Sequence, residues 1–84
     1  MYDLRPIHDN RKSFYGKALV HTDDDSIKLQ SYNTIVAEIK REPKRAIVRG
    51  TYSPTTLRHI KEFLKQHGFR AESKSQIEKD YMGD

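Results

Sequence analysis

Residues 53–68 of this chain, SPTTLRHIKEFLKQHG, carry both ends of a helix. Ser53 is a residue type that caps the first amide groups of a helix, and Pro54 suits the first helical position because its missing N–H would be unpaired there. Gly68 can adopt the left-handed conformation that commonly ends a helix. The sequence therefore predicts one main helix from Pro54 to His67.

The apolar residues of this stretch fall on one side of the predicted helix. They recur at intervals of three and four residues, which is the period of an amphipathic helix. Because Phe69 follows the expected stop, we expect it to fold back onto the same side. The helix therefore needs a second apolar surface to cover Leu57, Ile60, Phe63, Leu64 and His67.

The composition indicates one small domain, residues 1–84, without covalent or metal cross-links. The chain has 84 residues and no cysteine, which excludes disulfides and thiolate metal sites. We expect a thin core, which a homodimer would extend. The formal net charge of +4 argues against an acidic mimic of DNA. No apolar run approaches a membrane span and the N-terminus lacks a secretory signal, so we expect a cytoplasmic protein that contacts no membrane.

The first fifty residues predict a β layer preceded by an irregular arm, residues 1–10, in which Pro6 prevents regular pairing. Apolar and polar residues alternate beyond the arm, and turn residues interrupt them at Asp23–Ser26, Asn33 and Glu42–Pro43. Asn33 is the residue expected to take a left-handed conformation. The four predicted strands within residues 11–50 are 11–22, 27–32, 34–40 and 44–50.

Short consecutive strands joined by tight turns pair antiparallel. We therefore predict an α+β fold in which a four-stranded antiparallel sheet, a meander, packs one main helix on one face. The odd positions of the third strand are expected to face the helix and the even positions to face away: Ile35, Ala37 and Ile39 against Val36, Glu38 and Lys40. Residues 69–71 are expected to add a short edge strand. Ser75 and Glu78 have the spacing of a capping box, which predicts a short C-terminal helix at residues 75–82.

The face of the sheet away from the helix combines aromatic rings with cations. Rings that stack on bases and cations that meet phosphates are what single-stranded nucleic acid binding requires. Outward strand positions also favour these residue types for ordinary reasons, because they cover apolar surface while keeping a polar end in water. The side chains predicted on this face are Tyr15, Lys17, Lys28, Gln30, Tyr32, Lys40, Arg45 and Arg49.

The solvent side of the predicted helix is also basic, with Arg58, Lys61 and Lys65 and with His59 near them. A basic helix can lie along a phosphate backbone or enter a groove. Pairing with Glu62, which stands four residues after Arg58, explains the same charges as a solvated face.

The sequence predicts no catalytic centre, metal site or cofactor. The histidines have no metal-ligand spacing, and the helix dipole explains His67 by favouring a cation at a helix C-terminus. Residues 23–25 lack the spacing of a calcium loop and read as a solvated turn. Hydroxyl residues such as Ser31 show neither a nucleophile elbow nor an adjacent base. We therefore expect a protein that is not an enzyme.

Three stretches resemble a family of short proteins from phages and integrated mobile elements of Gram-positive bacteria such as streptococci and lactobacilli. They are residues 11–18, RKSFYGKA, residues 31–39, SYNTIVAEI, and residues 55–64, TTLRHIKEFL. Small non-enzymatic proteins in that setting often occupy a surface of a host protein, and inhibitors of CRISPR nucleases are a prominent class. The resemblance therefore implies an interaction protein.

Two functions follow as hypotheses. The first is a phage or mobile-element inhibitor or modulator of the anti-CRISPR kind, which binds a host protein or ribonucleoprotein such as a CRISPR effector. Its binding surface would be the open sheet face, supported by the basic side of the helix. The second is a small regulator that binds DNA or RNA directly. Both use the same candidate residues: Tyr15, Lys17, Lys28, Tyr32, Arg45, Arg49, Arg58, Lys61 and Lys65.

Overall fold

A computed structural model of the chain describes residues 1–7, 17–50 and 53–82. None of the helices in these ranges combines the length and apolar character needed to cross a membrane. The strands are β1 Tyr2–Asp3, β2 Ala18–Thr22, β3 Ser26–Ser31, β4 Thr34–Arg41 and β5 Lys44–Val48. The helices are α1 Pro54–Gln66 and α2 Lys74–Ile77, and the π-helical segment Glu78–Met82 follows α2 directly.

The described strands form one antiparallel sheet in the order β1-β2-β3-β4-β5. The predicted α+β class and the meander are confirmed, but the sheet has five strands, not four. The additional strand comes from the arm, where Tyr2 pairs with Val20 and Asp3 with Leu19. The first predicted strand is described only from Lys17 onward, so Phe14, Tyr15 and Gly16 lie outside the described residues.

The core lies between the sheet and α1. One row across four strands, Val20, Leu29, Ala37 and Val48, presents its side chains to the helix. Ile60, Phe63 and Leu64 of α1 cover this row and are fully buried. Burying a side chain of this size contributes about 1.5–3 kcal/mol. The seam predicted through α1 is therefore the main packing contact of the fold.

A β-bulge changes which residues of β4 face the helix. Leu29 pairs with Ala37 while Gln30 pairs with Ile35, so Val36 is an additional residue on β4. The bulge places Val36 on the buried side together with Ala37, and Ile35 lies across from Gln30 on the other face. The predicted assignment of Ile35 and Val36 was therefore wrong, because simple alternation does not hold through a bulge.

Both ends of α1 follow the predicted chemistry. The Ser53 side chain accepts a hydrogen bond from the Thr56 backbone N–H at 3.2 Å. At the other end Gly68 has φ +83°, and the Phe69 N–H donates to the Leu64 carbonyl at 2.9 Å. This is the Schellman pattern, in which glycine satisfies the last carbonyls of the helix.

The C-terminal helix starts earlier than predicted. Its N-cap is Ser73, whose side chain accepts a hydrogen bond from the Gln76 N–H at 3.1 Å, and not Ser75. Residues 69–71 are not in a strand, although Ala71 is buried. Tyr81 lies edge-on to Phe69, with 6.0 Å between ring centroids, and its hydroxyl donates to the Arg70 carbonyl at 2.7 Å. These contacts hold the end of the described chain against the core.

The structure corrects one detail of the predicted β3–β4 turn and shows how the acidic β2–β3 turn is held. Tyr32, and not Asn33, takes the positive φ of the β3–β4 turn, at +56°. Asp23 closes the β2–β3 turn, because its carboxylate accepts from the backbone N–H groups of Asp25 and Ser26 at 2.9 Å each. These two hydrogen bonds lower the pKa of the Asp23 carboxyl group. The acidic tip is therefore a hydrogen-bonded turn.

Candidate interaction surface

The sheet face opposite α1, called the outer face here, is the candidate functional surface. Its members follow from the strand registers: His21 pairs with Lys28, Lys28 with Glu38, and Glu38 with Ile47. A neighbouring row joins Leu19, Gln30 and Ile35. The outer face within the described residues is Asp3, Leu19, His21, Ser26, Lys28, Gln30, Ile35, Glu38, Lys40, Arg45, Ile47 and Arg49.

Aliphatic side chains are only half covered on this face. Leu19, Ile35 and Ile47 are of intermediate exposure, whereas the corresponding row under α1 is buried. The helices of the described chain contribute their apolar side chains to the core on the other side of the sheet. An apolar centre with a charged rim is the usual anatomy of a protein interface.

Cations on the outer face are only partly neutralised. The Arg49 Nη2 atom lies 3.0 Å from the Glu38 Oε1 atom, and the Lys28 Nζ atom lies 3.9 Å from the Asp23 Oδ2 atom. Lys40 and Arg45 pair directly across β4 and β5, and both are exposed. Neither makes an ion pair with an acid of the described residues. Like charges opposite each other destabilise a sheet, so this pair is a local cost of the fold.

The β4–β5 hairpin also carries a cross-strand pair of cations on the face toward α1. Arg41 pairs with Lys44, and both lie close enough to His67 to act on its titration. Burial, followed by the charges of Lys44 and Arg41, lowers the pKa of the His67 imidazole. The earlier explanation of His67 by the helix dipole was therefore wrong, because its surroundings disfavour the cation. The β4–β5 hairpin therefore carries cations on both of its faces, and Lys40 and Arg41 line one pocket together with Asp24, Asp25, Glu38 and Glu42.

Two side-chain hydrogen bonds that share Gln30 hold the β3–β4 turn from the outer face. The Gln30 Nε2 atom donates to the Tyr32 carbonyl at 2.8 Å, and the Gln30 Oε1 atom lies 2.9 Å from the His21 Nε2 atom. With the amide in this orientation Nε2 of His21 carries the proton. The Tyr32 ring lies toward α1, with its centroid 5.9 Å from that of His59, and is 48% exposed.

The structure brings together some of the predicted site residues and separates others. Lys28, Arg45 and Arg49 share the outer face. Lys17 is exposed just before β2, and Tyr32 stands in a turn and not on the outer face. Tyr15 lies outside the described residues. The helix residues of the prediction lie on the far side of the sheet, so one flat contact cannot include them together with the outer face: Arg58, Lys61 and Lys65.

Sequence reasoning missed a buried polar cluster between β3 and α1. The Ser31 Oγ atom lies 2.8 Å from the His59 Nδ1 atom and 3.0 Å from the Thr56 Oγ1 atom. Ser31 therefore does have an adjacent base, contrary to the prediction. Ser31 is 3% exposed and His59 is 0% exposed, so no substrate reaches the hydroxyl in this arrangement. The cluster fixes the N-terminal half of α1 on the sheet.

Glu62 also departs from its prediction as a solvated partner of neighbouring cations. It is 1% exposed, and its Oε2 atom accepts a hydrogen bond from Gln66 at 2.6 Å. Gln66 in turn donates to the Arg5 carbonyl at 2.6 Å, which ties α1 to the N-terminal arm. No local signal marks Glu62 as buried, since its position depends on where the arm passes over the helix.

The described residues define a small α+β protein with one face of its antiparallel sheet covered by a helix and the other face carrying exposed cations. Among these residues no group of three or more His, Asp or Glu side chains is placed to hold a metal ion. A family of unknown function, DUF8033, matches residues 2–79, and the chain belongs to this family. Neither the curated proteins nor the solved structures contain a match.

Proposed function

We propose that this protein is a non-enzymatic inhibitor or modulator that binds an acidic surface of a host nucleic-acid-processing protein or complex. The outer face with its basic hairpin is the contact surface. The phage and mobile-element resemblance of residues 11–18, 31–39 and 55–64 supplies the setting, which is that of an anti-CRISPR protein. The partner is then a CRISPR effector of the bacterial host, reached in the cytoplasm.

The Lys40–Arg45 pair, which makes no ion pair with an acid of the described residues, is the observation that carries this proposal. A cross-strand pair of like charges costs free energy in the isolated protein, and a carboxylate placed between the two cations would offset that cost. The exposed parts of Ile47 and Leu19 lie on the same face and supply apolar contact area. Arginine at such a position is a common anchor of binding energy.

Direct binding of DNA or RNA is the second candidate function. The cations of the outer face favour it, because phosphates attract lysine and arginine regardless of sequence. Its aromatic component is weaker: among the described residues, His21 carries the single aromatic ring of the outer face, since the Tyr32 ring lies toward α1. A stacking platform on this face would therefore depend on Tyr15, which lies outside the described residues.

The test is a cleavage assay with guide-loaded Cas effector and target DNA, titrated with the protein. Stoichiometric inhibition predicts that cleavage stops near an equimolar ratio. The double substitution of Lys40→Ser and Arg45→Ser should raise the protein concentration needed for inhibition about tenfold or more, the equivalent of about 1.4 kcal/mol.

The matched control is the double substitution of Lys61→Ser and Lys65→Ser. It also removes two positive charges, but from α1 on the other side of the sheet, and it should leave inhibition unchanged. Equal losses in both double variants would show a nonspecific charge effect. Failure of the protein both to alter cleavage by Cas effectors and to retain a host protein in a pull-down would defeat the proposal.

Nucleic acid binding is separated from protein binding by titrating labelled single- and double-stranded oligonucleotides at several salt concentrations. Direct binding predicts an affinity that falls steeply as salt rises, because each phosphate contact releases counterions. The proposed inhibitor predicts no measurable binding of either oligonucleotide at about 0.15 M salt.

A further inference from the structure

The outer edge of β5 is a second feature of the basic hairpin, distinct from the outer face. β5 is the last strand in the sheet order, so one side of its backbone has no strand partner among the described residues. An exposed strand edge offers a row of backbone N–H and C=O groups for pairing with another chain. The hydrogen bonds of β4 determine which residues of β5 have backbone groups that point outward at this edge.

Two backbone hydrogen bonds fix the direction of these groups. The Arg41 N–H donates to the Asp25 carbonyl at 3.0 Å, on the β3 side, and the Arg49 N–H donates to the Val36 carbonyl at 2.8 Å. Backbone groups alternate in direction along a strand. Lys40 therefore faces β5, and its partner Arg45 faces β4. The backbone groups of Lys44, Ala46 and Val48 consequently point away from the sheet.

A groove runs along this edge. Five consecutive residues of the chain, 45–49, line one wall, although their side chains alternate between the two faces of the sheet. A groove that touches all five runs beside the strand and not over one face. Asp80, Tyr81 and Met82 form the opposite wall. Val48 is 3% exposed, whereas Ala46 is partly exposed and Lys44 is exposed, so Lys44 and Ala46 are the two outward-directed residues of β5 that are not buried.

The charges of the edge select its occupant. Lys44, Arg45 and Arg49 are the charged side chains between residues 44 and 49, and all three are cations. Arg49 is paired with Glu38, whereas Lys44 and Arg45 make no ion pair with an acid of the described residues. The opposite wall carries one acid, Asp80, whose carboxylate accepts a hydrogen bond from the uncharged Gln76 side chain at 2.7 Å. A second copy of the chain would bring a second set of the same cations onto the edge, which is repulsive. An acidic strand would instead complement it.

We propose that the β5 edge binds an extended acidic segment of a protein partner, which pairs with the backbone of Lys44 and Ala46 as an additional strand. Alternate side chains of the added strand would then reach the Arg45 side of the sheet and the groove beside Tyr81. The inference rests on the proposed function, since it states how the partner docks. It names acidic residues in an extended conformation as the chemistry that is recognised.

The test is fluorescence anisotropy with a labelled peptide of about eight residues that alternates glutamate with valine, at about 0.15 M salt. The protein should bind this peptide. Two comparison peptides separate the contributions: one carries N-methyl groups at alternate amides, and the other has lysine in place of glutamate. Both should bind about tenfold more weakly or worse. Equal binding of the N-methylated peptide would overturn strand addition, because that peptide keeps its charges and loses its backbone donors.

Substitutions in the protein test the same edge. Ala46→Pro removes an N–H that points away from the sheet, and proline is tolerated at such edge positions. It should weaken peptide binding about tenfold, as should Arg45→Ser, while Lys65→Ser removes the same charge from α1 without effect. Loss of binding in Lys65→Ser equal to that in Arg45→Ser would overturn the assignment. The peptide comparison uses the unaltered protein and decides the question even where Ala46→Pro fails to fold.

Two further outcomes distinguish this inference from the proposed function. Stoichiometric inhibition of an effector without peptide binding would overturn the edge site and leave the outer face as the contact. Peptide binding without inhibition of any effector would support the edge site and overturn the proposed setting. A mass that rises with protein concentration in sedimentation, with no peptide binding, would overturn the acidic partner and favour self-association of the chain.

Discussion

The two faces of this sheet carry similar strands but lie in different surroundings. Toward α1, the row of Val20, Leu29, Ala37 and Val48 is buried, and Ser31 beside it is hydrogen-bonded to His59 and Thr56. On the outer face, Leu19 and Ile47 are partly exposed; Leu19 pairs with Asp3 and Gln30, and Ile47 stands between Arg45 and Arg49 along the chain. The difference shows that the buried core of the described residues lies on the helix-covered face.

The largest difference between the faces should appear on truncating a central apolar side chain. Phe63→Ala removes a fully buried ring and should cost about 3–5 kcal/mol of unfolding free energy. Leu19→Ala on the outer face removes a half-exposed side chain and should cost much less. Denaturant unfolding of both variants measures the contrast. Equal losses would mean that the outer face is as closely packed as the core.

A smaller effect should follow from breaking the buried polar cluster. Ser31→Ala removes the hydroxyl that contacts His59 and Thr56. The polar atoms of these two buried residues then lose this hydrogen-bond partner. The expected loss of stability is about 1–3 kcal/mol. Thr34→Ala is the control, because Thr34 pairs with Ser31 across the strands and is exposed. The idea that this cluster fixes α1 fails if the two variants unfold at the same denaturant concentration.

The junction of α1 with the basic hairpin should make stability depend on pH. The pKa of His67 is lowered from 6.5 in the folded protein, so the unfolded chain binds this proton more readily. The contribution of His67 is fully present above 6.5 and is lost as the pH falls through that value toward the folded pKa. His67→Gln should therefore lose less stability than the unaltered protein between about pH 7 and pH 5. Identical pH profiles would exclude this role for His67.

The smallest effect sharpens the comparison most, because it should separate folding from binding. Arg45→Glu places an opposite charge across from Lys40 and should raise stability by about 0.2–1 kcal/mol, while weakening the binding of an acidic partner. The stability of Arg45→Gln should lie between that of the unaltered protein and that of Arg45→Glu. Since exposed charges are screened by salt, the gain should shrink as salt is added. A loss of stability in Arg45→Glu would show that the Lys40–Arg45 repulsion is not a cost of the fold.

The sequence alone predicted the features that depend on neighbouring residues. Ser53 and Gly68 mark the ends of α1 because capping and left-handed turns are formed by a few consecutive residues. The alternation in β3 and β4, with the turn at Glu42–Pro43, was enough to predict the meander. Lys28, Arg45 and Arg49 were placed correctly on one face for the same reason, since a strand repeats every two residues.

Only the tertiary structure decided the features that depend on distant residues. A strand as short as Tyr2–Asp3 has no periodicity of its own, and it forms because β2 offers it a partner. The bulge at Val36 arises from the register between β3 and β4, and the burial of Glu62 and His59 from the elements packed over α1. These contacts join residues that are far apart in the chain. No single stretch of sequence therefore predicts them.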